Sequence, residues 1–111
     1  MIYKILRAEE WEELRRTGRL AGSQVDLADG FIHLSTAEQA PETAARHFAG
    51  ADGLRLAAVD EENLGDELRW EPSRGGALFP HLYRELRLSD LAWCQPLVLG
   101  PEGHLFPAGM P

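Results

Sequence analysis

The chain lacks the features that direct a protein into a membrane or build an extracellular disulfide scaffold. Its 111 residues include one cysteine, Cys94, so an internal disulfide is excluded. No apolar run approaches the roughly 20 residues that span a bilayer, and the first residues lack the apolar centre of a signal peptide. We therefore expect a cytoplasmic protein, because thiols stay reduced in that compartment. Cys94 lies in a largely apolar stretch, where we expect a small core residue.

Basic residues are also scarce. The chain has 11 lysines and arginines against 18 aspartates and glutamates, which gives a formal net charge of −7. Binding along a nucleic-acid backbone needs a clustered basic face, so we expect no such partner, and no membrane partner either. A local pocket for a small phosphorylated molecule remains compatible with dispersed arginines. The composition leaves the oligomeric state open.

Recognised catalytic and metal-binding motifs are missing as well. The four histidines have no tight ligand spacing and no cysteine pair joins them, so we predict no metal site. The chain has no serine nucleophile elbow, no phosphate-binding loop with its lysine and no dinucleotide fingerprint. Any chemistry must therefore come from dispersed polar side chains that the fold brings together.

What is present suffices for one domain over residues 1–111, because 44% of the residues are hydrophobic. Hydrophobic periodicity predicts two helices, both in the first half, and several short strands, so the predicted fold class is α+β. The predicted helices cover residues 9–16, which Gly18 terminates, and 41–48. The predicted strands cover residues 2–6, 31–35, 54–59, 68–71, 79–86 and 92–99, and 104–106 is expected to pair back. We expect loops at 19–30 and 72–76 and a loose tail at 106–111.

The first candidate site segment is residues 31–36, where a predicted strand runs into a helical turn. His33 and Ser35 share one face of that strand, and Ser35 and Thr36 precede the turn. Backbone N–H groups and hydroxyls at such a junction suit an anion. The alternative is that Ser35 and Thr36 only cap the turn and that His33 is a half-buried histidine with a structural partner.

The second candidate segment is residues 69–76. Arg74 precedes two glycines, so a guanidinium and bare backbone could approach an anion together, while Trp70 could stack on a ring. The alternative is a solvated loop with Trp70 in the core.

The third candidate segment is residues 79–85. In an extended chain His81, Tyr83 and Glu85 lie on one face, and a row of three hydrogen-bonding side chains is unusual for a core. We predict His81 as a proton-transfer residue and Tyr83 as a ligand-binding one. The alternative is an exposed strand face.

Several long blocks of the sequence resemble one family. The blocks are residues 2–5, 30–39, 69–71 and 75–83, together with Trp11 and Gly18. Together they resemble a small bacterial family, domain-of-unknown-function family 952, over most of the chain from Ile2 to about Leu91. The resemblance identifies relatives without implying a reaction.

That family is in turn similar to the ADP-ribosyltransferase fold, which implies small split mixed β-sheets around a cleft and NAD as a candidate cofactor. Such enzymes carry three characteristic side chains on three strands. Lys4 occupies the first place in this chain, and Ser35 or Thr36 the second. The third, an acid, is expected near residues 79–83, where no carboxylate stands; the nearest are Glu71 and Glu85.

These observations support three hypotheses. The first is an enzyme, a divergent transferase or hydrolase, that acts on a nucleotide-like or phosphorylated small molecule. In it His33 or His81 transfers a proton, and the ligand is held by Ser35, Thr36, Trp70, Arg74 and Tyr83. The second is a non-catalytic module that binds a metabolite in the same cleft. The third is a structural or partner-binding protein, which separate, exposed histidines and three core tryptophans would favour.

Overall fold

The computed structural model describes residues 1–110, apart from the side chain of Arg74. Its three α-helices are α1 Ala8–Thr17, α2 Gln24–Asp29 and α3 Ala40–His47. Its strands are β1 Ile2–Leu6, β2 Arg19–Leu20, β3 Ile32–His33, β4 Leu54–Val59, β5 Leu68–Ser73, β6 Ala77–Leu82, β7 Leu86–Arg87, β8 Leu91–Gly100 and β9 Gly103–Leu105. The predicted α+β class, with its helices in the first half, is therefore confirmed.

The strands form separate small sheets. One has the order β1-β4-β8-β9, a second has the order β3-β6-β5, and β2 pairs with β7. Every pairing between the described strands is antiparallel, so the expected mixed sheets are wrong. Short connections such as the three residues between β5 and β6 favour antiparallel neighbours, since a parallel pair needs a long crossover.

Strand β1 lies at the centre of the packing because both of its faces are buried. Ile2 and Leu6 belong to one hydrophobic cluster, which Leu14 of α1 covers. Tyr3 and Ile5 point the other way, into a second cluster. Side chains alternate across a strand, so Lys4 shares its face with Ile2 and Leu6 and is buried as well. The first strand therefore carries a buried charge into the interior.

Helices α1 and α3 follow the sequence prediction closely. Gly18, with φ of +83°, ends α1 in the left-handed region that favours glycine, and its N–H donates to the carbonyl of Leu14. Pro41 lies in the first turn of α3, where its missing N–H costs no helical hydrogen bond. Both helices contribute residues to the candidate site described below.

Four local predictions were wrong. The expected loop at 19–30 contains β2 and helix α2, and the expected loop at 72–76 is shortened because β5 continues to Ser73. The strand expected at 31–35 is reduced to Ile32–His33, while Ser35 forms an isolated bridge with Tyr3. The strand expected at 79–86 ends at Leu82.

Cys94 and the C-terminal segment pack against the two clusters. Cys94 is partly buried against the first cluster, and burial raises the pKa of its thiol to about 11. Phe106 and Met110 are partly buried against the second cluster. The single domain over residues 1–111 stays a prediction. No helix among residues 1–110 has the length and apolarity to cross a bilayer.

Candidate functional site

A cavity of about 820 Å³ opens between the start of α1, helix α2, strands β1, β3 and β6, and helix α3. Its volume is in the range that holds small molecules and cofactors. Three predicted site residues, His33, Ser35 and His81, line it together. Its other polar lining residues include Lys4, Arg7, Asp26, Asp29, Thr43 and Arg46.

Asp26 is the buried centre of one half of the site. Its side chain is 2% exposed. Oδ2 accepts from Lys4 Nζ at 2.9 Å and from the N–H of Ser23 at 2.9 Å. Oδ1 lies 2.6 Å from His33 Nδ1 and accepts from the His33 N–H at 3.1 Å. Burial alone raises the pKa of this carboxyl, but the His33 hydrogen bond and the Lys4 charge outweigh it and hold the pKa well below its ordinary value.

The same carboxylate takes part in the N-terminal cap of helix α2. Ser23 Oγ accepts from the N–H of Asp26, and Asp26 accepts from the N–H of Ser23, so the two residues satisfy each other's backbone donors. The same Asp26 then ties the helix to β1 and β3. Lys4 completes the tie by donating to the carbonyl of His33 at 3.1 Å. Lys4 is thus a buried, paired cation and not a surface lysine.

His33 is held by a carboxylate at each ring nitrogen. Nδ1 faces Asp26, and Nε2 lies 2.9 Å from Oδ2 of Asp29, whose side chain is 48% exposed. A carboxylate only accepts hydrogen bonds, so a doubly protonated imidazole can satisfy both contacts at once. Neither ring nitrogen of His33 is therefore without a partner.

His81 is held differently, on the strand beside His33. Its Nδ1 lies 2.8 Å from Oε1 of Glu71, and its side chain is 6% exposed. Tyr83 donates its phenolic hydrogen to the same Oε1 at 2.7 Å. His81 lines the cavity, and Nε2 is its ring nitrogen that does not face Glu71.

The hydrogen bonds to this shared carboxylate oxygen also shift the pKa values of Glu71 and Tyr83. The Tyr83 hydrogen bond, followed by that of His81, lowers the pKa of Glu71 below its ordinary value. The same bond to Glu71 raises the pKa of Tyr83 above its ordinary value. Glu71 is therefore ionised and Tyr83 protonated at neutral pH, so the tyrosine donates and the carboxylate accepts.

Phe31 joins the two histidine groups. Its ring stacks on His81 with centroids 4.0 Å apart and contacts His33 at 4.6 Å and Tyr83 at 5.2 Å. The two imidazoles meet edge to face at 5.4 Å. An apolar ring at the centre fixes the imidazole planes and keeps water from between them.

The other predicted site residues have different places. Tyr83 lines a neighbouring depression of about 280 Å³ and reaches His81 through Glu71. Thr36 forms a reciprocal cap with Gln39, as the alternative interpretation held, while Ser35 bonds to Thr43. Trp70 is 41% exposed on the face of β5 opposite Glu71, outside both cavities and outside the core. The predicted role of the Arg74 side chain lies outside the described residues.

The sequence interpretation missed Asp26 and Asp29 and gave Glu71 no role at the site. The signal for Asp26 was present in the Ser23-x-x-Asp26 spacing, which is typical of a helix start. The register of β5 against β6 brings Glu71 close to His81, because Glu71 pairs with Phe79, two residues before His81. Among residues 1–110 no group of three or more histidine, cysteine or acidic side chains could hold a metal ion.

Comparisons with known proteins agree with this architecture. The model of a family described as "Protein of unknown function (DUF952)" matches residues 5–94. A crystal structure of protein CC0527 from Caulobacter crescentus is 55% identical with a TM-score of 0.89, over 93% of this chain and 90% of that chain. The solution NMR structure of CC0527 has a TM-score of 0.83 at 55% identity, over 93% and 89% of the two chains. None of the curated proteins matches the chain in sequence.

Proposed function

The chain belongs to the DUF952 family, and we propose that it is an enzyme that transfers a proton through His81 during transfer or hydrolysis of a small phosphorylated or nucleotide-like molecule. The observation that carries this proposal is that His81, whose Nδ1 is paired with Glu71, lines a cavity large enough for such a ligand. We also propose that it works in the cytoplasm, in keeping with its unpaired Cys94.

The pair supplies a base of defined geometry. A proton on Nδ1, directed at Glu71, leaves the lone pair of a neutral ring on Nε2, and this is the tautomer that the proposal requires. A histidine oriented by a carboxylate is a recurrent device for taking a proton and returning it to a leaving group. His33, held between two carboxylates, has both ring nitrogens engaged and is a fixed neighbour of His81 in place of a second base.

The cavity also offers groups for an anionic substrate. Arg7 and Arg46 line the same cavity as His81. The Arg7 guanidinium lies over the ring of Phe48, 4.7 Å from its centroid, which limits the positions that the guanidinium can take. One arginine guanidinium can donate two parallel hydrogen bonds to a phosphate group, so a phosphorylated ligand fits this lining.

NAD is the first nucleotide to test. The resemblance to ADP-ribosyltransferases requires an acid near residues 79–83, and β5 supplies one from the adjacent strand because Glu71 opposes Phe79. This register supports NAD as a substrate class without fixing the reaction.

A non-catalytic binding module is the second candidate. The observation that favours it is His33, whose two ring nitrogens both have carboxylate partners before any ligand enters. In such a module the same cavity would recognise the ligand without turning it over.

The test combines binding with turnover. The protein is screened by thermal shift against NAD, ADP-ribose, AMP and inorganic phosphate, then incubated with NAD while nicotinamide release is followed. A ligand at 100-fold its dissociation constant stabilises the fold by about 2.7 kcal/mol. We expect stabilisation by at least one nucleotide and turnover that His81→Ala abolishes.

Trp70→Phe is the matched control, because it alters the same sheet on the face away from the cavity. Binding without turnover would favour the module, and a screen with no response to any of these ligands would contradict both candidates. Equal turnover by His81→Ala and the wild type would exclude His81 as the proton-transfer residue.

A further inference from the structure

The remaining unexplained feature of the site is the hydroxyl of Tyr83. This side chain borders the smaller depression and not the cavity that His81 lines. Its hydroxyl is nonetheless 2.7 Å from Glu71 Oε1, the same oxygen that lies 2.8 Å from His81 Nδ1. One carboxylate oxygen therefore serves both donors.

We propose that Tyr83 is a positioning residue that acts through Glu71 to fix the tautomer of His81, leaving Nε2 as the proton acceptor in the cavity. This inference rests on the proposed function of His81. It gives Tyr83 a role different from ligand stacking, because the tyrosine contacts the carboxylate and not the cavity.

The carboxylate needs such a partner because it is partly open to water. The Glu71 side chain is 35% exposed, so a single bond to His81 would leave it free to rotate away. A second donor on Oε1 restricts that rotation and keeps this oxygen against Nδ1. With Glu71 in place the proton stays on Nδ1; without it, the imidazole can carry its proton on either nitrogen.

Tyr83 is itself fixed from both sides. Phe31 contacts its ring at 5.2 Å, and the guanidinium of Arg69 lies over the ring 4.7 Å from its centroid. Arg69 also pairs with His81 in the register of β5 and β6. The groups that face His81 are thus Glu71 and Arg69 from β5, with His33 and Phe31 from the β3 side.

The substitution Tyr83→Phe isolates the hydroxyl, since phenylalanine keeps the ring contacts with Phe31 and Arg69. The measurement is a long-range ¹⁵N–¹H correlation spectrum of the imidazoles, which distinguishes a protonated from an unprotonated ring nitrogen. It is recorded at a pH where His81 is neutral. We expect one His81 tautomer in the wild type, protonated at Nδ1. In Tyr83→Phe we expect a measurable fraction of the Nε2-protonated form, and in Glu71→Ala a larger fraction.

Trp70→Phe serves as the control on the opposite face of β5, and backbone amide spectra check that each variant folds. A Tyr83→Phe spectrum with the wild-type His81 tautomer would overturn the proposal, as would an Nε2-protonated ring in the wild type. The experiment needs no ligand. A failed ligand screen would therefore refute the proposed function alone, whereas an unchanged tautomer would refute the role of Tyr83 alone.

Discussion

His33 and His81 lie side by side, yet the protein surrounds them in opposite ways. His33 comes from a strand of two residues and has carboxylates at both ring nitrogens, with a buried lysine behind one of them. His81 comes from a six-residue strand and has one carboxylate, at Nδ1. Both line the cavity, but the side chain of His33 is 34% exposed and that of His81 is 6% exposed.

On the proposed function, this difference separates a structural histidine from a chemical one. Every polar atom of the His33 side chain is occupied, and its carboxylate partner Asp26 joins β1, α2 and β3. Glu71 engages only Nδ1 of His81, which lines the cavity, and this arrangement suits the proposed proton transfer. Substitutions around His33 should therefore act on stability, and those around His81 on ligand chemistry.

The largest expected effect is on turnover, through His81→Ala. Removal of a general base costs about 10²- to 10⁴-fold in rate, whereas the alanine leaves the Asp26 group intact. His33→Ala should lower turnover less and destabilise the fold more, since it removes a donor from a buried carboxylate. Nicotinamide release and urea denaturation of the two variants measure the two effects. The comparison fails if His33→Ala costs the larger factor in turnover.

The next effect concerns stability and distinguishes the two carboxylates of His33. Asp26→Ala leaves Lys4 buried without its partner, so we expect a loss of about 3–5 kcal/mol in the free energy of unfolding. Asp29→Ala removes a half-exposed partner and should cost less than about 1 kcal/mol. Urea unfolding monitored by tryptophan fluorescence compares them.

Two results would contradict this assignment. Equal losses for Asp26→Ala and Asp29→Ala would mean that the exposed carboxylate contributes as much as the buried one. A negligible loss for Asp26→Ala would mean that Lys4 finds another partner in the variant.

Low pH should destabilise the fold through the same carboxylate, that of Asp26. The folded-state pKa of Asp26 lies below its unfolded value of about 4, so its contribution to stability is complete above that value. The contribution is lost progressively as the pH falls through the folded-state pKa, because the unfolded chain then binds more protons. Asp90, whose pKa Arg84 lowers against the effect of burial, adds to the same trend.

We therefore expect stability to decline as the pH falls from 5 to 3 and the decline to be shallower in Asp26→Asn. Urea midpoints at a series of pH values measure it. A variant with the same slope as the wild type would show that Asp26 is not the group responsible.

In both halves of the comparison the sequence predicted the histidine and missed its carboxylate partner. His33, Ser35 and His81 were found because alternation along a strand assigns side chains to faces. Asp26 was missed because α2 has six residues and an apolar pattern too short for periodicity to reveal. The capping box was the available signal. A local capping motif does not predict that its carboxylate forms an ion pair with Lys4, 22 residues away in the sequence.

Glu71 illustrates a second limit. Its contact with His81 depends on the register of β5 and β6, which the turn between Ser73 and Ala77 sets. Gly75 and Gly76 adopt φ of +73° and +87° in that turn, values that favour glycine. The glycine pair predicted a turn, but it could not fix the register of β5 against β6 to within one residue. A slip of one residue would have placed Glu71 on the far face of the sheet.

The smallest expected effect is that of Trp70→Phe, and it tests that face assignment directly. Trp70 is adjacent to Glu71 in sequence but points away from the cavity and is 41% exposed. Phenylalanine keeps most of the apolar contact, so the free energy of unfolding should change by less than about 1 kcal/mol. Nucleotide binding, measured by thermal shift, should equal that of the wild type, and so should the His81 imidazole spectrum. A marked change in the His81 spectrum would mean that the two faces of β5 are coupled. A substitution on the far face of the sheet would then also affect His81, contrary to the face assignment.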